Sequence, residues 1–357
     1  MSEKRLRALR RRLAEEKLDA FLVASSPNRA YLSGFTGTSG VLVLTATESL
    51  LLTDFRYLEQ AKAQAPLFTV VQVGHDSMAA LAETVARLAP ERTGFESRSV
   101  SVSILRQWEE RFGERTTLVP TEGLLEELRL VKDEEEVALL RQAARLADAG
   151  FEFLLDFLRP GRTEREVSLE LEFFLRRQGA DGAGFDFIVA SGPRGALPHG
   201  VASGRTINRG ELVTVDWGCF VGGYTSDITR TVAVGEPPER WREIYEVVRR
   251  AQEVGVAAVR PGRTGAEVDS EARAVIAQAG FGEAFGHGLG HGVGREVHEE
   301  PRLRETATTV LRPGMVVTVE PGIYLPREGG VRIEDMVLVT EDGGERLTSA
   351  RRDLVIL

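Results

Sequence analysis

The sequence predicts an α/β N-terminal domain followed by a larger α+β domain whose two halves repeat one another. Three observations carry this. Helical and strand-like segments alternate through the first third of the 357 residues. A segment at 159–167, "RPGRTEREV", returns with seven identities as "RPGRTGAEV" at 260–268. A second echo follows in the same order, "NRGELVTVDWG" at 208–218 and "RPGMVVTVEPG" at 312–322. Length and a hydrophobic content of 42% suffice for two packed cores.

The elements follow in order. A charged amphipathic helix is predicted at about 3–17; it lacks the apolar stretch of a signal peptide. "AFLVAS" (20–25), "GVLVLTA" (40–46), "SLLLTDF" (49–55) and "FTVVQV" (68–73) read as strands, with a short strand at 92–95. Helices are expected from Tyr57 to about Ala65, near 77–89 and at 101–112. Asp133 caps a long amphipathic helix, and Glu134 to Glu136 in its first turn suit the helix dipole. The domain boundary is placed near residue 125, giving domains of 1–125 and 126–357.

Bulk properties exclude several classes. A net charge of -9 argues against a nucleic-acid binder. There is no apolar run long enough to span a membrane. Cys219 stands alone, so no internal disulfide forms and a reducing compartment fits. A cytoplasmic protein is expected.

In both copies of the first echo, Pro-Gly punctuates and Thr opens a capping box, Thr163 with Glu166 and Thr264 with Glu267. Each copy starts a helix. Two copies are too few for a solenoid, so a duplication about a pseudo-two-fold axis is expected. The second echo aligns Asp216 with Glu320, each at the end of an apolar strand. A lone buried carboxylate there is unfavourable unless something compensates it.

After Asp216, β-like runs flank Gly222 and Gly223, a hairpin signal. A two-residue loop at Val221–Gly222 pairs Phe220 with Gly223 and sets Asp216 opposite Asp227. Opposed like charges destabilise a sheet, and a shared cation removes the conflict. Glu320 and Glu334 repeat the arrangement, with a turn between Pro326 and Gly330. If both pairings hold, the axis gathers four carboxylates. Two divalent ions roughly 3.5–4 Å apart would neutralise them and suit hydrolysis.

The chain has five histidines. Four of them, His199, His287, His291 and His298, lie in glycine-rich segments. His287 and His291 have the spacing of a helical metal pair, but five glycines from Gly286 to Gly294 argue against a helix. The segment reads instead as extended backbone lying close to a site. Histidines gathered beside a carboxylate cluster point to function rather than to packing.

These segments resemble the pita-bread metallopeptidases, which include Xaa-Pro aminopeptidases, Xaa-Pro dipeptidases (prolidases) and methionine aminopeptidases. The resemblance covers about 130–357 and rests on "ALPHG", "VDWG", "TSDITRT", "GHGLGHGVGREVHEEP", "VEPGIY" and "GGVRIED", in the family's order. It implies metal ligands at Asp216, Asp227, His291, Glu320 and Glu334, with Asp227 and Glu334 shared by both ions. It implies substrate contacts from His199 and His298, which also stabilise the tetrahedral intermediate. His287 matches a substrate-side histidine of the proline-specific members, and Arg332 an arginine beside the last ligand. "LLTDFRYLEQA" (51–61) looks like the N-terminal domain of the creatinase and prolidase branch. Creatinase-like members lack the metal ligands, and all five are present here.

The resemblance implies hydrolysis of an N-terminal Xaa-Pro bond by a hydroxide bridging two metal ions. Glu320 would shuttle the proton to the leaving proline nitrogen. His298 and His199 would donate to the developing oxyanion or to substrate carbonyls. Carboxylate-rich ligation favours Mn²⁺, with Co²⁺ or Zn²⁺ as alternatives. The expected substrate is a peptide with proline second, and the expected assembly is a homodimer. Other readings stay open: an aminopeptidase of another specificity such as methionine, and a catalytically silent peptide-binding relative, against which the intact ligand set counts. A third makes Asp216 and Asp227 structural, paired with arginines such as Arg230. It leaves the repeated carboxylate unexplained. Dipeptidase and aminopeptidase are not separated by the sequence.

Overall fold

Alternating apolar residues explain the N-terminal unit, which ends at Arg129 in a computed structural model describing residues 2–357. Its sheet has six strands: β1 (Ala20–Val23), β2 (Val41–Thr45), β3 (Ser49–Asp54), β4 (Thr69–Val73), β5 (Arg92–Glu96) and β6 (Thr117–Thr121), in the order β4-β3-β2-β1-β5-β6. Phe21, Val23, Leu42, Leu44 and Leu51 face one core. Leu22, Val43, Leu50 and Leu52 face the other. A strand covered on both sides reads as a continuous apolar run, as these do.

Around the sheet lie α1 (Ser2–Glu15), α2 (Ser26–Ser33), α3 (Leu58–Gln64), α4 (Ser77–Leu88) and α5 (Val102–Phe112). The periodicity of the sequence misses α2 and β6. α2 has eight residues, including Pro27, and starts from a Ser25 cap; that is too short to show a helical period. β6 is an edge strand interrupted by Pro120.

A short helix, α6 (Glu126–Leu130), is followed by α7 (Glu134–Phe157), which starts from the expected Asp133 cap with Glu136 closing a capping box. The second unit, Leu130–Leu357, is two similar halves. The first half holds α7, α8 (Glu164–Arg177), β7 (Gly182–Ala183), β8 (Ile188–Ser191), β9 (Glu211–Trp217), β10 (Cys219–Val221), β11 (Tyr224–Thr225) and β12 (Ile228–Val234). The second holds α9 (Glu239–Ala258), α10 (Gly265–Gln278), β13 (Gly290–Gly292), β14 (Glu299–Leu303), β15 (Val316–Val319), β16 (Gly322–Leu325), β17 (Gly329–Arg332), β18 (Asp335–Val339) and β19 (Gly344–Arg346).

Both repeated "RPGRT" segments open a helix through the expected Thr-to-Glu capping box. The likeness extends to the backbone. Gly161 N–H donates to Ile207 O and Gly262 N–H to Leu311 O, both at 2.9 Å. Ile207 and Leu311 return bonds to Arg162 O and Arg263 O, both at 2.8 Å. In each half the helix pair covers a sheet, β12-β9-β8 in the first and β13-β15-β18 in the second. Among the described residues, no helix is long and apolar enough to cross a membrane.

The hairpin register of the first half differs from the expected one. Val221 pairs with Tyr224, so the turn is Gly222–Gly223 rather than Val221–Gly222. Both glycines have positive φ, 56° and 79°. A two-residue turn with φ positive at both positions suits glycine and excludes valine. Asp216 therefore faces Thr229, not Asp227. A shift of two residues leaves the facing side unchanged. Asp227 thus stays on the side of Asp216, displaced along the ribbon. In the second half Val319 pairs with Asp335 and Gly322 with Arg332. That register places Glu320 opposite Glu334, as expected.

Trp217 anchors β9. It is fully buried, stacks on Phe151 at 6.3 Å, and donates through Nε1 to Ala147 O at 3.1 Å. Gly218 follows because a Cβ there would lie 1.9 Å from Ser226 O. Trp217→Phe keeps a ring but loses the hydrogen bond and some volume. Urea denaturation should show a loss of about 1–2 kcal/mol.

Candidate active site

Three of the five expected ligands, Asp227, Glu320 and Glu334, stand where a strand has ended, while Asp216 and His291 lie within paired strands. Asp216 is near the end of β9, Asp227 lies between β11 and β12, Glu320 follows β15, Glu334 separates β17 from β18, and His291 is central in β13. Backbone that leaves its ladder frees a side chain to point along the sheet end. β13 is an extended glycine-rich strand, as expected, and not a helix. A Cβ at Gly290 would lie 2.0 Å from Thr318 O. Glycine therefore lets the backbone beside His291 press against β15.

All five line one cavity of about 1010 Å³, together with His199, His287, His298 and Arg332. Asp227, His291 and Glu334 each offer a ligand atom within 4.8 Å of the others. His291 Nε2 lies 3.2 Å from Glu320 Oε1 and 3.6 Å from Asp227 Oδ2. His291 Nδ1 is 3.0 Å from Gly292 O, which assigns the Nδ1 proton to that carbonyl and turns Nε2 toward the carboxylates.

Asp216 joins the cluster through Arg332, whose guanidinium donates to its Oδ2 at 2.7 Å. The same guanidinium donates to Thr229 Oγ1 at 3.0 Å, Tyr324 Oη at 3.0 Å and Pro198 O at 3.2 Å. The arginine expected beside the last ligand is thus also a brace between both halves. Arg230 pairs with Asp335, not with Asp216 or Asp227. Arg230 is therefore not the arginine of the structural reading, although Asp216 does have one in Arg332.

Electrostatics make the cluster costly to ionise as a whole. Burial raises the Asp216 carboxyl, and raises Asp227 and Glu334 well above the usual range. The charge of Asp216 adds to the rise at Asp227, and that of Asp227 to the rise at Glu334. Burial works the same way on Glu320, but the hydrogen bond and charge of His291 outweigh it and hold Glu320 at about 2. Burial opposes a proton on His291, and Glu320 and Asp227 overcome it, raising His291 to about 9. Asp216 Oδ1 and Glu334 Oε1 are buried with no hydrogen-bond partner. Two orphaned carboxylate oxygens, more carboxylates beside them and one imidazole form a donor set for divalent ions.

The other histidines frame the cavity. His287 is held by Gly288 O and Tyr324 Oη, both at 2.8 Å, and burial lowers its pKa. His298 sets its ring edge-on to His291 at 4.4 Å. Burial and the His291 charge bring it down to about 4. His199 is exposed on the cavity wall. Thr229 and Tyr324 belong to this network and escape the sequence reading. Thr229 had a signal: two residues beyond Asp227 along a strand is the same face.

Residues 138–341 match metallopeptidase family M24, and residues 5–131 match the creatinase/prolidase N-terminal domain. The uncharacterised peptidase YqhT of Bacillus subtilis is 46% identical over 353 residues, covering 99% of this chain and 100% of that protein. The Xaa-Pro dipeptidase of Pyrococcus furiosus is 39% identical over 354 residues, with coverage of 99% and 100%. The solved Xaa-Pro dipeptidase from Bacillus anthracis superposes with a TM-score of 0.97 at 46% identity over 100% of both chains. An X-Pro aminopeptidase from Thermotoga maritima superposes with a TM-score of 0.92 at 38% identity over 99% of both. The chain belongs to metallopeptidase family M24, as a metallo-exopeptidase with a creatinase/prolidase N-terminal domain and a pita-bread catalytic domain.

Proposed function

We propose that this enzyme hydrolyses Xaa-Pro dipeptides and holds two divalent ions between Asp216, Asp227, His291, Glu320 and Glu334, with Asp227 and Glu334 serving both. The carrying observation is the pair of orphaned buried oxygens, Asp216 Oδ1 and Glu334 Oε1, set among further carboxylates. Full-length similarity to proteins named Xaa-Pro dipeptidase supports the substrate class. Mn²⁺ suits this oxygen-rich set best, and Co²⁺ or Zn²⁺ are compatible with it. The division of labour follows the sequence reading, with 1–125 as the N-terminal domain and 126–357 carrying the chemistry.

Bound ions would screen the carboxylates and make water a nucleophile near neutral pH. With ions bound, Glu320 would take a proton from the attacking water and return it to the proline nitrogen as the peptide bond breaks. His298 and His199, on the cavity wall, donate to the carbonyl oxygen as charge develops on it. His287 and Arg332 orient the substrate from the side of Tyr324.

Comparing Xaa-Pro, Xaa-Pro-Yaa-Zaa, and Met- or Leu-peptides without proline, at defined Mn²⁺ and Co²⁺, tests this. Xaa-Pro should be the preferred substrate. Preference for the tetrapeptide would make the enzyme an aminopeptidase, and cleavage of the proline-free peptides alone would refute proline specificity. His298→Ala should lower kcat by about 10²-fold with both ions retained; lost metal would show that His298 is a ligand instead. The homodimer expected from the family would be refuted by a monomer in sedimentation. A cytoplasmic location is consistent with the single buried Cys219.

A further inference from the structure

Glu334 is held at almost every polar atom by two neighbouring residues of the other half. Its N–H donates to Thr229 O at 3.0 Å. Its carbonyl accepts from the Arg230 guanidinium. Its Oε2 accepts from the Thr229 hydroxyl at 2.6 Å. Only Oε1 is left over, buried and unpartnered.

The Thr229 hydroxyl has no freedom of direction. Its oxygen already accepts from Arg332 Nε at 3.0 Å, and that guanidinium is fixed by Asp216 Oδ2, Tyr324 and Pro198. A hydroxyl carries one proton, so the Thr229 proton goes to Glu334. Arg230 is locked in turn by buried Asp335 at 2.7 Å, whose oxygens also accept from Thr348 and Gln252. Thr229 is fully buried and does not line the cavity. Thr231, two residues on, is different: its hydroxyl meets Thr214 at 2.9 Å and touches no carboxylate.

We propose that Thr229 is a positioning residue for metal binding. Its hydroxyl ties Glu334 Oε2 to the arginine that holds Asp216 Oδ2. Two carboxylates from opposite halves are thereby turned so that each presents one free oxygen, Asp216 Oδ1 and Glu334 Oε1. The inference rests on the reading of Asp216 and Glu334 as ion ligands.

Calorimetric titration with Mn²⁺ of the native protein, Thr229→Val and Thr229→Ser tests it. The native chain should bind two ions. Thr229→Val should weaken one of the two binding steps by about 10–100-fold. Thr229→Ser, which keeps the hydroxyl, should restore it. KM for Xaa-Pro at saturating Mn²⁺ should not change, since Thr229 does not reach substrate. Native affinity in Thr229→Val, or equal weakening in Thr229→Ser, overturns the proposal. Fewer than two ions on the native chain would refute the ligand reading itself. If Thr229→Val does not fold, Thr229→Ala against Thr229→Ser isolates the same hydroxyl.

Discussion

Asp227→Asn is expected to lower Xaa-Pro hydrolysis by about three orders of magnitude and to leave fewer than two ions per chain. Ion charge stabilisation is worth several kcal/mol in the transition state, and each 1.4 kcal/mol or so is tenfold in rate. Asparagine keeps the shape but offers a single neutral oxygen. Asp227 is a sensitive position because it, His291 and Glu334 each offer a ligand atom within 4.8 Å of the others. The variant should fold. Burial and the Asp216 charge make the ionised form costly, so the amide should make the chelated protein more stable than the native one, not less. Metal analysis, turnover and thermal melting in chelator together check this. Full activity with fewer than two ions would sink the dinuclear reading, and a lower melting point in chelator would show that Asp227 has a structural role instead.

The melting temperature should depend on metal and pH together. A ligand at about 100 times its Kd adds about 2.7 kcal/mol to stability, so two ions add roughly 5. For a domain of this size that raises Tm by on the order of 10 °C. Asp216, Asp227 and Glu334 have folded pKa values above their unfolded ones. Their stabilising contribution is complete below about pH 4, the unfolded carboxylate value, and is lost as pH rises through the folded values. His291 acts in the same direction, since its proton is held to about 9 against an ordinary 6.5. His287 and His298 are lowered and act oppositely, but only below their unfolded value of about 6.5. Between about pH 7 and about pH 8.5 the protein in EDTA should therefore lose stability as pH rises. Ion binding needs the deprotonated ligands, so the Mn²⁺ gain should widen over the same interval. Differential scanning fluorimetry with EDTA and with Mn²⁺ measures both. A gap that narrows with rising pH would contradict these assignments.

Much of the fold was legible because its signals are local. The capping boxes at Thr163 and Thr264 involve residues three apart, and the strands of the N-terminal sheet are continuous apolar runs. α2 and β6 were not, since one is too short and the other carries Pro120. The hairpin register was misread by one turn position. The choice between Val221–Gly222 and Gly222–Gly223 depends on φ at both residues, and only glycine takes positive values freely. Because side chains alternate with period two, this error left Asp216 and Asp227 on the same face.

Sequence alone pointed to the residues that converge. The repeat placed a carboxylate at the end of each apolar strand, the glycine-rich spacing around His291 argued against a helix, and the family resemblance added His291 to the carboxylates. All three are read from the order of residues along the chain. What only the tertiary structure decided is how the carboxylates are turned. Arg332 takes Asp216 Oδ2, Thr229 takes Glu334 Oε2, and one oxygen of each is left buried and unpaired. Those contacts join residues more than a hundred positions apart, across the seam between two halves. The orientation of a hydrogen bond there is set by packing in three dimensions, and no local pattern of residues encodes it.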